Sequence, residues 1–178
     1  GADLSSCINA GIQTLSGTPA NGTWSGTGIS NAAGEFDPAI AGAGVHTLTY
    51  SFTDANSCSN SDVLSLTVNP LTPVNAGIDT TLCNQPFAVQ FTANPAGGTW
   101  SGTGITPSGA FTPGRVGTYT LTYTFTNSFG CTNSDARVVT VVNPDFSDAG
   151  PDLEACIDAP DVQVNGSPVS GTWTGDYV

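Results

Sequence analysis

Few side chains in this 178-residue chain are equipped for covalent chemistry. His46 is the one histidine, hence the one candidate imidazole base. Neither Ser25 nor Ser101 sits in a Gly-x-Ser-x-Gly turn that would present a hydroxyl to such a base. There is no lysine, which excludes a Schiff base and a lysine–asparagine crosslink alike. Gly26-Thr27-Gly28 lacks the third glycine and the following helix of a dinucleotide site. Asp79, Asp148 and Asp152, with Asn75, gather in linkers rather than on facing strands. Hard oxygen ligands at a junction are weak candidates for Ca²⁺, but their spacing matches no calcium loop, and turn caps explain them more simply. No other cofactor is expected, and the chain reads as a non-enzyme.

The cysteines say more. There are five, Cys7, Cys58, Cys83, Cys131 and Cys156, with no Cys-x-x-Cys pair of the kind a zinc site would use. Their recurrence in a threonine-rich chain points to disulfides and an oxidising compartment. Asn21-Gly22-Thr23 fits the N-glycosylation pattern, which matters only in a suitable host.

What positions these residues is a repeat. Gly22-Thr23-Trp24-Ser25-Gly26-Thr27-Gly28-Ile29 returns as Gly98-Thr99-Trp100-Ser101-Gly102-Thr103-Gly104-Ile105, and in reduced form as Gly171-Thr172-Trp173-Thr174-Gly175. The three tryptophans are 76 and 73 residues apart, and each follows a cysteine by 17 residues. Self-similarity at a fixed period decides the architecture before local structure does. The chain divides into unit one (residues 1–70), unit two (71–144) and the first part of a third (145–178), with Pro70 and Pro144 closing the first two. The chain is therefore expected to be a fragment of a longer array.

Charge narrows the partners. Fourteen acidic residues against two arginines leave a net charge of −12. Nucleic acid and anionic membrane surfaces both need cationic contacts, so neither is an expected partner. No apolar run is long enough to insert in a membrane.

Within the units the pattern is that of strands. Tyr119, Leu121, Tyr123 and Phe125 alternate with threonines, as His46, Leu48, Tyr50 and Phe52 do in unit one. A strand is expected from Phe87 to Thr92, and another from Val138 to Val142, with helix signals missing. Six or seven short strands per unit, separated by Gly and Pro, make an all-β chain of tandem immunoglobulin-like β-sandwiches of about 74 residues. Trp24, Trp100, Trp173, Tyr50, Tyr119 and Tyr123 are the expected core aromatics. Tyr119 and its counterpart His46 occupy the place of a tyrosine corner, a ring hydrogen-bonded back to its own chain. Unit one contains a conflict: Gln13 stands where Val89 stands in unit two, and Ile12 and Leu15 cannot both face inward without a bulge.

The succession Ala-Gly-x-Asp, Cys, Gly-Thr-Trp-Ser-Gly-x-Gly-Ile, Gly-x-Phe, Gly-x-Tyr-x-Leu-Thr-Tyr, Cys, Val-x-Val resembles the immunoglobulin-like repeats of Bacteroidetes surface proteins, including the gliding-motility adhesins (SprB type) exported by type IX secretion. Asp79-Thr80-Thr81 looks like an O-glycosylation pattern of that phylum. The resemblance implies an extracellular, cell-surface stalk or fibre for cell adhesion. Its partners would be neighbouring repeats of the same chain and other copies in a fibre, with a surface or glycan ligand bound by other domains. Glycan binding by the units themselves is the alternative.

An immunoglobulin-like strand order also bears on the disulfides. It puts Cys83 and Cys131 at opposite ends of one sandwich, but brings the lower end of one unit to the upper end of the next. That favours Cys7–Cys131, between units. Pairing within units, Cys7–Cys58 and Cys83–Cys131, is the alternative.

Overall fold

The computed structural model describes residues 4–158 and 160–175. Threonine, valine and aromatic residues in alternation suit pleated, half-buried strands, and the chain adopts them through both complete units. Unit one contains β1 (Leu4–Cys7), β2 (Gln13–Thr14), β3 (Thr23–Ser25), β4 (Ile29–Asn31), β5 (Glu35–Phe36), β6 (Gly44–Thr53) and β7 (Ser59–Asn69). One sheet has the order β1-β7-β6-β3 and the other β2-β5-β4. Unit two repeats this with β8 (Thr80–Cys83), β9 (Val89–Gln90), β10 (Thr99–Ser101), β11 (Ala110–Phe111), β12 (Gly117–Thr126) and β13 (Thr132–Val142). Its sheets are β10-β12-β13-β8 and β9-β11, and Ile105 bridges to Phe111 where unit one has β4. In each unit the first strand lies parallel to the last, while the two long strands form an antiparallel hairpin.

The facing sheets enclose one apolar core per unit. Trp24 packs with Leu15, Phe36, Leu48, Leu66 and Val68. Trp100 packs with Phe91, Phe111, Leu121, Tyr123, Val139 and Val141. Tyr50 and Tyr119 are half-buried against these cores. The expected position of Trp173 is corrected: it remains 41% exposed. Trp24 and Trp100 are each covered by a tyrosine on the neighbouring long strand, at ring distances of 5.1 Å. The described residues of the third unit contain no such strand, only the bridge Asp148↔Ser167.

Other differences have local causes. The strand expected from Phe87 reduces to Val89–Gln90, and Phe87 is 73% exposed. Pro86, just before it, has no N–H for a ladder, and the chain bends there. The last strand of unit two starts at Thr132, well before Val138. Helix is confined, among the described residues, to a single turn, α1 (Pro38–Ala41). Asp37 caps it by accepting from Ala39 N, and Pro38 fills the first helical position, where its missing N–H costs nothing.

The conflict in unit one is solved by a hydrogen bond. Gln13 takes the register position of Val89, pairing with Phe36 as Val89 pairs with Phe111. Its amide donates to the Ser6 hydroxyl on β1, so the polar group turned inward is satisfied. Leu15 is buried, Ile12 is turned out at 60% exposure, and β2 contains no bulge.

Candidate functional site

No described residues assemble a catalytic constellation. The His46 ring lies beside Phe36, and its Nε2–H donates to Gly42 O at 2.8 Å. The Tyr119 hydroxyl likewise donates to Arg115 O, four residues back, at 2.8 Å. Both rings thus tie the start of a long strand to the preceding turn. The Ser101 hydroxyl donates to Thr122 O at 3.4 Å, far from any imidazole.

The acidic candidates are likewise used as backbone acceptors. Asp79 Oδ1 accepts from Val138 N at 2.8 Å, and Asp148 Oδ1 accepts from Gly150 N at 2.9 Å. Asn75 Oδ1 accepts from Gly77 N at 2.7 Å in the same way. Asp152 is exposed. Among the described residues, no three His, Cys, Asp or Glu side chains come within reach of one metal ion. The Thr80 hydroxyl, at the centre of the Asp79-Thr80-Thr81 pattern, donates to Ile78 O at 3.2 Å and accepts from Arg137 Nη2.

Arg137 is the feature that the residue pattern did not reveal. It interrupts an apolar phase of β13, and no spacing rule signals it. Its side chain is 7% exposed, with the guanidinium 4.1 Å from the Phe91 ring centroid. Nη1 donates to Ala76 O at 3.4 Å, and Nε has no partner. Burial pushes its pKa below the ordinary arginine value, and the charge of Asp79 opposes that shift.

The site with a structural task is the joint between units one and two. Cys7 ends β1 opposite Asn69, at the lower end of unit one. Cys131 closes the turn between β12 and β13, at the upper end of unit two. A disulfide joins them, with Cα atoms 5.5 Å apart, and Cys131 is fully buried. Neither pairing within a unit is formed. Cys58 immediately precedes the eleven-residue β7, while Cys7 lies beside that strand's far end. At about 3.3 Å per residue this separates them by roughly 35 Å, far beyond the ~7 Å limit of a disulfide. Cys131 and Cys83 stand in the same relation about β13. Cys58, Cys83 and Cys156 are exposed free thiols.

Three carboxamides surround the staple. Asn127 Nδ2 donates to Pro70 O at 3.0 Å, while its Oδ1 accepts from Phe129 N and Cys131 N, each at 3.0 Å. Asn133 Nδ2 donates to Thr72 O at 2.9 Å, with Oδ1 accepting from Ser134 N. Asn9 Nδ2 reaches from unit one to Thr132 O at 3.0 Å. Asn127 and Asn133 each donate and accept at once, which a carboxamide does and a carboxylate does not. They lie close on either side of Cys131, a signal visible only once the joint is known.

No protein-family model and no curated protein matches the chain. Among solved structures, human CDH23 EC21-23 is similar at 9% identity and a TM-score of 0.27, over 93% of this chain and 82% of that one. The immunoglobulin domains 1-4 of Sidekick-1 are similar at 14% identity and a TM-score of 0.25, over 94% of this chain and 58% of that one. With scores this low, the immunoglobulin-like assignment rests on the strand pairing itself.

Proposed function

We propose that the chain is a length of extracellular stalk, whose repeats hold an adhesive end of a bacterial surface protein away from the cell. The observation that carries this reading is the covalent joint. A disulfide between consecutive units, rather than within one, adds nothing that an isolated domain would need. It does restrict bending and separation of neighbours, which is what a stalk requires. The carboxamide bonds from Asn127 to Pro70 O and from Asn9 to Thr132 O support the same reading, because they cross between the units and fix the angle at which they meet. The sequence resemblance to gliding-motility adhesin repeats supplies the bacterial surface, and a disulfide fits an oxidising exterior. Among the described residues no helix is long and apolar enough to cross a membrane. The adhesive ligand in this reading belongs to other domains.

The test is the rigidity of the joint. Residual dipolar couplings should fit one alignment tensor across both units in the oxidised protein, and two after Cys131→Ser. Independent tensors in the oxidised protein would refute a stalk.

A further inference from the structure

Gly22 and Gly98 open the same Gly-Thr-Trp element, but the residue before each differs: Asn21 in unit one, Gly97 in unit two. Both take a left-handed backbone, with φ at 70° and 93°. Glycine adopts that conformation freely, and asparagine is among the few other residues that tolerate it. The position faces solvent in a complete unit. A Cβ built on Gly97 meets nothing within 4 Å, even with Val74 and Ala76 packed into unit two, and Asn21 is exposed. Among the described residues the Asn21 carboxamide has no hydrogen-bond partner, unlike those of Asn31, Asn75 and Asn127.

The next position requires glycine. A Cβ on Gly22 would collide with the Tyr50 ring and come within 2.6 Å of Ser51 O. The turn thus joins an asparagine that suits its backbone to a glycine that its packing demands. With no Cβ at Gly22, nothing shields its backbone nitrogen from the carboxamide of the preceding residue. What restrains that nitrogen is Tyr50, whose hydroxyl accepts from Gly22 N at 2.8 Å and donates to Pro19 O. The bond keeps the nitrogen protonated and fixed in direction. The chain has one other Asn-Gly pair, Asn165-Gly166, and among the described residues no tyrosine bonds its amide.

We infer that Asn21 is a site of spontaneous deamidation, guarded by the Tyr50 hydroxyl. When the turn opens, Gly22 N loses its proton and bonds to Asn21 Cγ. The side-chain nitrogen takes up a proton and leaves as ammonia, and a cyclic imide remains. Water then opens the imide. Cleavage at the side-chain carbonyl leaves an aspartate, and cleavage at the backbone carbonyl leaves an isoaspartate, whose main chain runs through Cβ. Nothing is oxidised or reduced, and water is the one co-reactant. The isoaspartate adds a carbon to the main chain between Pro19 and Gly22, the two residues that Tyr50 ties together, so the tie cannot be remade as it was. The inference stands on this turn and holds whether or not the array serves as a stalk.

The test is peptide mapping of the whole chain during incubation in warm, mildly alkaline buffer, with isoaspartate told from aspartate by electron-transfer fragmentation. Conversion is expected at Asn21, with isoaspartate the larger product. Tyr50→Phe should speed it about tenfold, the scale on which losing the hydroxyl's hydrogen bonds raises the open population. The rate at Asn165 should be the same in both proteins. Gly97→Asn keeps both tyrosines and tests the pairing independently: it should create a second converting site, held back by Tyr123 as the first is by Tyr50. An Asn21 amide that outlasts the asparagines not followed by glycine would overturn the assignment. So would a Tyr50→Phe rate equal to the parent's, or a Gly97→Asn chain that gains no site.

Discussion

The Tyr123 hydroxyl closes the turn that precedes Trp100. It donates to Pro95 O at 2.7 Å and accepts from Gly98 N at 2.6 Å, while its ring packs 5.1 Å from the indole. Tyr50 makes the same two bonds, to Pro19 O and from Gly22 N, in front of Trp24. The Gly-Thr-Trp element therefore recurs for a reason that hydrophobicity alone does not supply. The glycine permits the tyrosine to approach, and the tyrosine both covers the tryptophan and satisfies the turn. A Cβ on Gly98 would come within 2.6 Å of the Tyr123 ring and collide with Thr124 O.

Tyr123→Phe should accordingly destabilise unit two by about 1–3 kcal/mol, because two backbone partners lose their hydrogen bond in a part-buried place. Trp100→Ala should cost about 3–5 kcal/mol. Urea unfolding followed by far-UV circular dichroism measures both, and a Tyr123→Phe variant as stable as the parent would remove the hydroxyl from this account.

Arg137 tests whether its charge or its bulk matters. Leu64 occupies the same position in unit one and packs against that core. Arg137→Leu is therefore expected within about 1 kcal/mol of the parent, since exchanging a buried charge for an apolar side chain of similar volume is often neutral. Arg137→Ala should cost about 2–4 kcal/mol, because it uncovers Phe91 and leaves a cavity. Thermal unfolding of both variants makes the comparison, and similar losses would show that the guanidinium itself is needed.

The long hairpins were legible from side-chain phase. Leu48 and Leu121 fall on the inward phase of ten-residue strands, and both are fully buried. Alternation is a strong signal at that length. It fails for strands of two residues, where Phe87 shares the phase of Val89 yet is turned out by the bend after Pro86. Gln13 was the opposite case, a polar residue in an inward register that only the facing Ser6 hydroxyl explains. The Asp37-Pro38 pair is a sound helix-start signal that the repeat pattern obscured. Asn9, Asn127 and Asn133 were illegible for a deeper reason: their partners are backbone carbonyls 57 to 123 residues away, which no local pattern encodes.

Disulfide mapping under non-reducing conditions should yield a Cys7–Cys131 peptide, and neither Cys7–Cys58 nor Cys83–Cys131. Cys131→Ser should lower stability by about 2–5 kcal/mol, given the long loop that the bond closes. Cys58→Ser should have no effect on the mapped pair. Recovery of a Cys83–Cys131 peptide from native protein would overturn the joint.

The staple also determines how the array carries tension. Pulled from its ends, the oxidised chain transmits load from β1 through the disulfide directly into β13. The residues between Cys7 and Cys131 lie in a closed loop and bear none of it. The two cysteines are 124 residues apart, so reduction should release about 430 Å of additional contour at roughly 3.5 Å per residue. Cys83 occupies in unit two the place of Cys7 in unit one, at the end of a first strand lying parallel to the last. A following unit bearing the counterpart of Cys131 would close a second loop overlapping the first, and in an array built in this way the load would run through the last strand of a unit, the linker and the first strand of the next, as through β13 here. Single-molecule extension in oxidising and reducing buffer distinguishes the cases. A short oxidised extension that lengthens by this increment on reduction is the expected result. Equal contour lengths in the two buffers would show that the units are not stapled under load.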